Sequence, residues 1–252
     1  MGKNLSEKIL KLKKEKNAII LAHLYQTPEI QEIADYVGDS YYLSKIARDC
    51  KEDLIIFCGV KFMGESAKIL SPQKTIILPA TNAGCPMADM ACVEDLEEMI
   101  KLYPDAFKVC YINSSYEVKA LCDASVTSSS ALNIMNNIPN KQILFLPDQN
   151  LGGYIAEFFP EKEFILWRGF CPTHHRITAE DVLNAKQEHP NVKVLAHPEC
   201  SKEVRELSDY LGSTSGIINY ATECEDKEFI IATEEGVLHQ LKKKNPDKKF
   251  YF

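Results

Sequence analysis

The chain has 252 residues, 45% hydrophobic and 26% charged, with 29 Lys and Arg against 36 Asp and Glu for a net charge of −7. Such a chain can bury a substantial core, which excludes disorder as its main state. Its acidity excludes general nucleic-acid binding, which needs surplus cations, and no apolar run approaches the ~18–20 residues of a membrane-spanning helix.

At the start, Met1-Gly2-Lys3-Asn4-Leu5-Ser6 matches the loose myristoylation pattern. Leu5, Ile9, Leu10 and Leu12 instead read as a short helix, and the match as chance. The Lys-rich first twenty residues contain no signal-peptide core. Buried strands are predicted at 18–22, 54–58, 75–78, 107–112, 143–146, 164–167, 192–196, 229–232 and 249–252. Stretches with helical spacing lie between them, at 29–36, 42–50, 94–102 and 179–188. Apolar runs alternating with helices indicate parallel βαβ units. The charge run Lys242-Lys243-Lys244 with Lys248-Lys249 reads as a solvated helix end.

An internal repeat organises these elements. Leu21-Ala22-His23-Leu24-Tyr25, Val109-Cys110-Tyr111-Ile112-Asn113 and Leu195-Ala196-His197-Pro198-Glu199 each end a buried strand with polar side chains. The spacing is 90 residues from 23 to 113 and 84 from 113 to 197. Gly38-Asp39-Ser40, Val126-Thr127-Ser128 and Gly212-Ser213-Thr214 follow at matching intervals. Cys58-Gly59, Pro147-Asp148 and Thr233-Glu234 form a third set. The fourth, Gly84-Cys85-Pro86 and Phe170-Cys171-Pro172, recurs after 86 residues, from 85 to 171. The expected fold is therefore α/β: three pseudo-threefold-related αβα units, 1–88, 89–174 and 175–252, with parallel sheets around a central cavity. Ligands of open parallel sheets sit beyond the carboxyl ends of the strands, where these landmarks lie. The same spacing puts a third Cys-bearing loop near 257, so the third unit is expected to be cut short.

Nine cysteines, widely spaced and odd in number, argue against a disulfide scaffold and for a reducing cytoplasm. No CxxC pair occurs. Cys58, Cys110 and Cys122 read as core, and Cys50, Cys92, Cys200 and Cys224 as structural. Cys85 and Cys171 differ, because both recur at one point of the repeat. Thiolates converging from separate units suit an iron–sulfur cluster with an open iron. His23 with Tyr25, Tyr111 with Asn113 and His197 with Glu199 are candidate proton-transfer pairs, since residues i and i+2 of an extended chain share a face. Ser40, Ser128, Ser213 and Thr214 lie at strand-to-helix turns. They either cap helices or bind a small anion at a helix N-terminus. His174 or His175 can lie beside the cluster or substrate, on weaker grounds. His189 and His239 read as surface, Trp167 as core, and Asp148-Gln149-Asn150-Leu151-Gly152-Gly153 as a tight turn.

Taken with Cys85-Pro86-Met87-Ala88, Pro147-Asp148-Gln149-Asn150-Leu151-Gly152, Cys171-Pro172-Thr173-His174, His197-Pro198-Glu199-Cys200 and Gly212-Ser213-Thr214-Ser215, these landmarks resemble the quinolinate synthase family, the A protein of the bacterial pathway to NAD. The resemblance runs in order along nearly the whole chain. Leu24 departs from it, where the family usually has Asn, as does the missing Cys-x-Asn-Met-like stretch. It implies a cytoplasmic enzyme, a transferase that condenses iminoaspartate with dihydroxyacetone phosphate to quinolinate, phosphate and water. It further implies a [4Fe–4S] cluster on Cys85, Cys171 and a third cysteine beyond Phe252. His23, Ser40, Tyr111, Ile112, Asn113, Ser128, His197, Pro198, Glu199 and Thr214 would bind substrate. Tyr25, Tyr111 and Glu199 would move protons, and the iron would act as a Lewis acid. A transient contact with the oxidase that makes iminoaspartate is an expected partnership; nucleic acid and membrane are not.

A cluster-bearing sensor of oxygen or iron would explain the cysteines but not the converging His, Tyr, Glu and Ser sets. A cluster-dependent hydro-lyase acting on another small carboxylate shares nearly all of them.

Overall fold

The computed structural model describes residues 3–252, so Met1 and Gly2 of the myristoylation-like pattern lie outside the described residues. The apolar runs form strands β1 (Ala18–His23), β2 (Tyr36–Gly38), β3 (Leu54–Cys58), β4 (Thr75–Ile77), β5 (Phe107–Tyr111), β6 (Ala124–Val126), β7 (Gln142–Leu146), β8 (Glu163–Leu166), β9 (Lys193–Ala196), β10 (Tyr210–Leu211), β11 (Glu228–Ala232) and β12 (Lys249–Tyr251). They make three sheets with one shared order: β2-β1-β3-β4, β6-β5-β7-β8 and β10-β9-β11-β12. Every pairing is parallel. Parallel neighbours need crossovers, and the crossover helices cover both faces. The two central strands of each sheet are accordingly the most apolar. Leu21, Ile55 and Phe57 in the first sheet, Val109, Leu144 and Phe145 in the second, and Leu195 and Phe229 in the third are fully buried.

The sequence pattern overran one helix and missed three strands. The helical spacing at 29–36 ends early: the helix is Pro28–Ile33, and Tyr36–Gly38 is β2. Strands β2, β6 and β10 span only two or three residues at a sheet edge, too short for a periodic signal. Each is fixed by an aspartate instead. Asp35, Asp123 and Asp209, spaced 88 and 86 residues apart, accept from the backbone N–H of Ile20, Lys108 and Val194, each at 2.8 Å. Their own N–H groups donate back to the carbonyls of the same residues. A short strand is thereby clamped to the central one by a side chain as well as by its backbone.

A second repeated device is a lysine just before the fourth strand of each sheet. Lys74 Nζ donates to the carbonyls of Ala47 and Cys50 at the end of helix Ser40–Asp49. Lys162 donates to Ile138 and Asn140 in the turn after helix Ala131–Met135. Lys248 donates to Ala221 and Cys224 at the end of helix Thr214–Glu223. An ammonium group there satisfies orphan carbonyls and meets the negative end of the helix dipole. Lys248 is thus not part of a solvated run; only Lys242, Lys243 and Lys244 end a helix in the open.

The chain divides into two compact units, one ending at Cys85 and one beginning at Pro86. The first contains the sheet of β1–β4, the second the other two sheets. In the second unit, Ala91, Leu96, Cys110, Leu144 and Leu146 pack one core and Val182, Val194, Cys200 and Ile230 another. No helix among the described residues is long and apolar enough to cross a membrane.

Candidate active site

In the second unit, the ends of β5 and β9 bring together residues far apart in sequence. Tyr111, the last residue of β5, donates its hydroxyl to Glu199 Oε1 at 2.6 Å. Glu199 is 3% exposed, in the turn that follows β9. His197 begins that turn, and the Glu199 N–H donates to its Nδ1 at 3.2 Å. That bond makes Nδ1 an acceptor and leaves the ring proton on Nε2, which faces Ser128 Oγ at 3.3 Å. Ser128 therefore does not cap a helix here; its partner is the histidine of the neighbouring sheet.

The first unit repeats the turn. The Tyr25 N–H donates to His23 Nδ1 at 3.2 Å, and the two rings meet edge to face at 4.5 Å. The i and i+2 pairs thus come together through a turn closed on the imidazole, not through strand alternation. Asn113 lies two residues beyond Tyr111, and Ile112 and Pro198 are buried between their partners. The hydroxyls at the helix starts divide by role. Asp39, not Ser40, caps Ser40–Asp49 by accepting from the Tyr42 N–H at 2.8 Å. Ser213 caps Thr214–Glu223 by accepting from the Gly216 N–H at 3.2 Å. Thr214 is buried as the first residue of that helix.

His174, left open by the sequence, lies at the centre of the cluster. It is 2% exposed and stacks on His197 with ring centroids 4.7 Å apart. Its Nδ1 is 2.9 Å from Glu199 Oε2 and 3.2 Å from Cys171 Sγ. Its Nε2 is 2.8 Å from Thr233 Oγ1 at the end of β11. His175 is exposed. His189 is half-buried and stacks on Tyr251 at 3.5 Å, so it is not a bare surface residue. Trp167 packs against the core and donates Nε1–H to the Met90 carbonyl at 2.7 Å.

Asp148 holds the Cys171 loop in place. It is fully buried and accepts from the N–H of Leu151 at 2.7 Å and of Cys171 at 2.9 Å. Gly169 makes this approach possible, because a Cβ there would lie 2.5 Å from the Pro147 carbonyl oxygen. Asn150 donates to the Glu199 carbonyl at 3.1 Å. The Asp148–Asn150 segment, legible in sequence only as a turn, thus steadies both Cys171 and Glu199.

Electrostatics separates these groups. Burial opposes ionisation of Glu199, but the His197 and His174 imidazoles beside it and the hydrogen bonds from His174 and Tyr111 outweigh burial. Together they hold its carboxyl well below the usual range. Burial and then the Glu199 charge push Asp148 well above its ordinary value, against the pull of its backbone donors. The same two causes, in the same order, raise the Cys171 thiol, while backbone N–H groups of His174 and Thr173 favour its thiolate. Cys200 is pushed up to about 12, first by burial and then by Glu199, and packs as core.

Cys171 Sγ, His174 Nδ1 and a Glu199 oxygen lie within 4.8 Å of one another, a sulfur, nitrogen and oxygen set suited to a thiophilic metal. A cation supplies the charge that displaces the Cys171 proton, and the backbone donors at the sulfur suit a bound thiolate. The chemistry of this corner therefore fits metal ligation through Cys171. Cys85 is half-buried in the loop that ends the first unit. All nine cysteines are free. Cys50 meets Lys74 Nζ at 3.0 Å, Cys92 caps helix Val93–Leu102, and Cys224 meets Asp226 at 3.0 Å, which gives each a structural place.

Three αβα sheets of one topology, with a buried carboxylate held among Tyr, His and Cys side chains at strand ends, define an α/β enzyme built by internal repetition. Residues 7–252 match the model of the family described as NadA: Quinolinate synthetase A protein. The chain is 64% identical over 251 residues to the quinolinate synthase of Clostridioides difficile, covering 100% of this chain and 83% of that protein. It is 63% identical over 248 residues to that of Clostridium perfringens, and 58% over 247 to that of Caldicellulosiruptor saccharolyticus, each covering 98% of this chain and 82% of the relative. The chain belongs to the quinolinate synthase family.

Proposed function

We propose that this enzyme condenses iminoaspartate with dihydroxyacetone phosphate to give quinolinate, one phosphate and two waters, in the de novo synthesis of NAD. The observation that carries the reading is the buried Tyr111–Glu199 contact at 2.6 Å. Enolisation needs a base beside the carbonyl, and each dehydration needs a proton for the departing hydroxyl. Glu199, held ionised by its neighbours, accepts a proton at Oε1. Tyr111, bonded to that oxygen, passes the proton between carboxylate and substrate. Tyr25 is the second phenol in this scheme, oriented by the closed turn on His23.

The anionic substrates call for local donors, because the chain is net negative. His197 offers Nε2–H and Ser128 its hydroxyl. His23, Ser40, Asn113 and Thr214 supply further donors, the last at a helix N-terminus. Ile112 and Pro198 shape the wall and exclude water. Cys85 and Cys171 are the thiolates of this sequence that would hold a [4Fe–4S] cluster, which when bound supplies a Lewis-acidic iron. Nine free cysteines agree with a reducing cytoplasm, where a transient contact with the iminoaspartate-producing oxidase would pass on a short-lived substrate.

The test is an anaerobic assay with iminoaspartate and dihydroxyacetone phosphate, with quinolinate and phosphate measured by chromatography. Equimolar formation of both is expected. Dehydration of another small hydroxy acid with no quinolinate formed would replace this reading by a hydro-lyase.

A further inference from the structure

We propose that Gln31 and Arg205 are positioning residues, each holding the turn that carries a proton-transfer group by donating into that turn's own backbone carbonyls. The inference rests on the reading of Tyr25 and Glu199 as proton-transfer groups. Their two turns are built alike. The Gln26 N–H donates to the His23 carbonyl and the Cys200 N–H to the His197 carbonyl, each at 3.0 Å. The N–H groups of Tyr25 and Glu199 are taken up by the imidazoles. These bonds use the donors of the turn, and its outward carbonyls need donors from elsewhere, since Leu24 and Cys200 are buried from water.

The helix after each turn supplies them. In helix Pro28–Ile33, buried Gln31 donates Nε2–H to the carbonyls of Leu24 at 2.9 Å and Gln26 at 2.8 Å. In helix Lys202–Glu206, Arg205 is 6% exposed, and its Nη1 donates to the carbonyls of Cys200 at 3.2 Å and Asn150 at 3.1 Å. Asn150 in turn donates to the Glu199 carbonyl at 3.1 Å. One guanidinium thereby ties the main chain at Glu199 and Cys200 to the start of helix Gln149–Ala156. Its Nη2 pairs at 2.8 Å with Glu157, a half-exposed side chain at the end of that helix.

The repeat gives independent support. Glu29-Ile30-Gln31, Glu117-Val118-Lys119 and Glu203-Val204-Arg205 recur at steps of 88 and 86 residues and set three donor-bearing side chains at one position. The backbone repeats with them: the N–H groups of Gln31, Lys119 and Arg205 donate to the carbonyls of Thr27, Ser115 and Ser201. A position that only packed would accept an apolar side chain, as the one before it does in all three copies. Glutamine and arginine differ in length, yet both reach the carbonyl of the same repeat position, Gln26 in one case and Cys200 in the other.

Arg205→Met keeps the unbranched stem and removes every donor. In anaerobically purified enzyme it is expected to lower kcat about a hundredfold, the scale of a small misplacement of a reacting group. KM for each substrate and the iron content should stay near wild type. Arg205→Gln reproduces the arrangement of the first unit, one amide nitrogen with two hydrogens, and should recover at least about tenfold of that loss. Glu157→Ala, which leaves both carbonyl bonds, should turn over as wild type. Gln31→Met should lower kcat on the same scale through Tyr25. In a Glu199→Gln background Arg205→Met should have little further effect on kcat, as should Gln31→Met in a Tyr25→Phe background. A merely structural role would give additive losses.

Wild-type kcat in Arg205→Met or Gln31→Met, equal losses in Arg205→Met and Arg205→Gln, or full additivity with Glu199→Gln would overturn the proposal. So would a loss in Glu157→Ala as large as that in Arg205→Met, which would place the effect in the ion pair. Iron lost in step with turnover would also overturn it, by making Arg205 a support of the Cys171 loop. Should Arg205→Met fail to fold, Gln31→Met with and without Tyr25→Phe decides by the same additivity. A Glu199→Gln enzyme at wild-type turnover would remove the reading of Glu199 itself, whereas an impaired Glu199→Gln beside an unimpaired Arg205→Met removes only this inference.

Discussion

Tyr111 and Glu199 stand 88 residues apart in sequence and 2.6 Å apart in space, with the phenol donating to a fully enclosed carboxylate. Two sheets of the repeat meet at this bond. Tyr111→Phe and Glu199→Gln should each reduce turnover by about 10²–10⁴-fold. The double variant should lose little more than the worse single one, because the two groups move one proton as a unit. Turnover near wild type in both single variants would make the pair a tether between sheets.

Cluster assembly should depend on two cysteines and ignore a third. Cys85→Ala or Cys171→Ala should abolish iron and sulfide binding in anaerobically purified protein, while Cys224→Ala, whose thiol meets Asp226 at 3.0 Å, should leave it unchanged. Iron analysis and the visible spectrum check this. A normal iron content in the Cys171 variant would remove that residue from the ligand set.

The hydroxyls should separate by role. Ser213 caps a helix, so Ser213→Ala should cost about 1 kcal/mol of stability. Ser128 faces His197 Nε2, so Ser128→Ala should leave the melting temperature within a degree or two, on the order of a surface change, and weaken quinolinate binding about tenfold or more. Calorimetric titration beside thermal unfolding measures both. The reverse pattern would assign Ser128 to structure.

Glu199 should make the fold acid-sensitive. Its folded carboxyl is held below the ordinary value of about 4.3, so in the window beneath that value the folded state binds fewer protons than the unfolded chain. Its contribution is complete above the unfolded value and is lost as pH falls through and below it. Asp148, shifted upward, acts in the opposite sense, and only the difference between wild type and Glu199→Gln isolates Glu199. Urea unfolding from about pH 7 down to about pH 3.5 should show wild-type stability falling more steeply than that of the variant. Parallel curves would mean that the carboxyl is not held ionised.

The lysine before each fourth strand should matter for stability and not for chemistry. Lys162→Met strips two carbonyls, on Ile138 and Asn140, of a donor at 2.7 and 2.9 Å. A loss of about 1–3 kcal/mol is expected in urea unfolding, with turnover at a stable temperature unchanged. An unaffected midpoint would show that water replaces the ammonium.

The sequence by itself determined the sheets and the repeat. Central strands such as β3, β7 and β11 are apolar on both faces, and Ala179–Glu188 carries its own capping box at Thr178 and Asp181, so each is specified by its own residues. The repeat was legible because the same landmarks recur near 86-residue steps, and it placed His23, His197 and Tyr111 at strand ends and Cys85 and Cys171 in loops after strands. Strands β2, β6 and β10 were hidden, since two or three residues carry no period and their place is fixed by aspartates that bond to a different strand. Only the tertiary structure decided the partners. Nothing in Pro172-Thr173-His174 says that its imidazole reaches Glu199 and Thr233, and nothing in Pro147-Asp148 says that the carboxylate holds the Cys171 loop. Those bonds join residues 23 to 59 apart in the chain, and local propensity records no such distance. They exist because parallel sheets deliver all their strand ends to one edge, where buried polar groups must find one another.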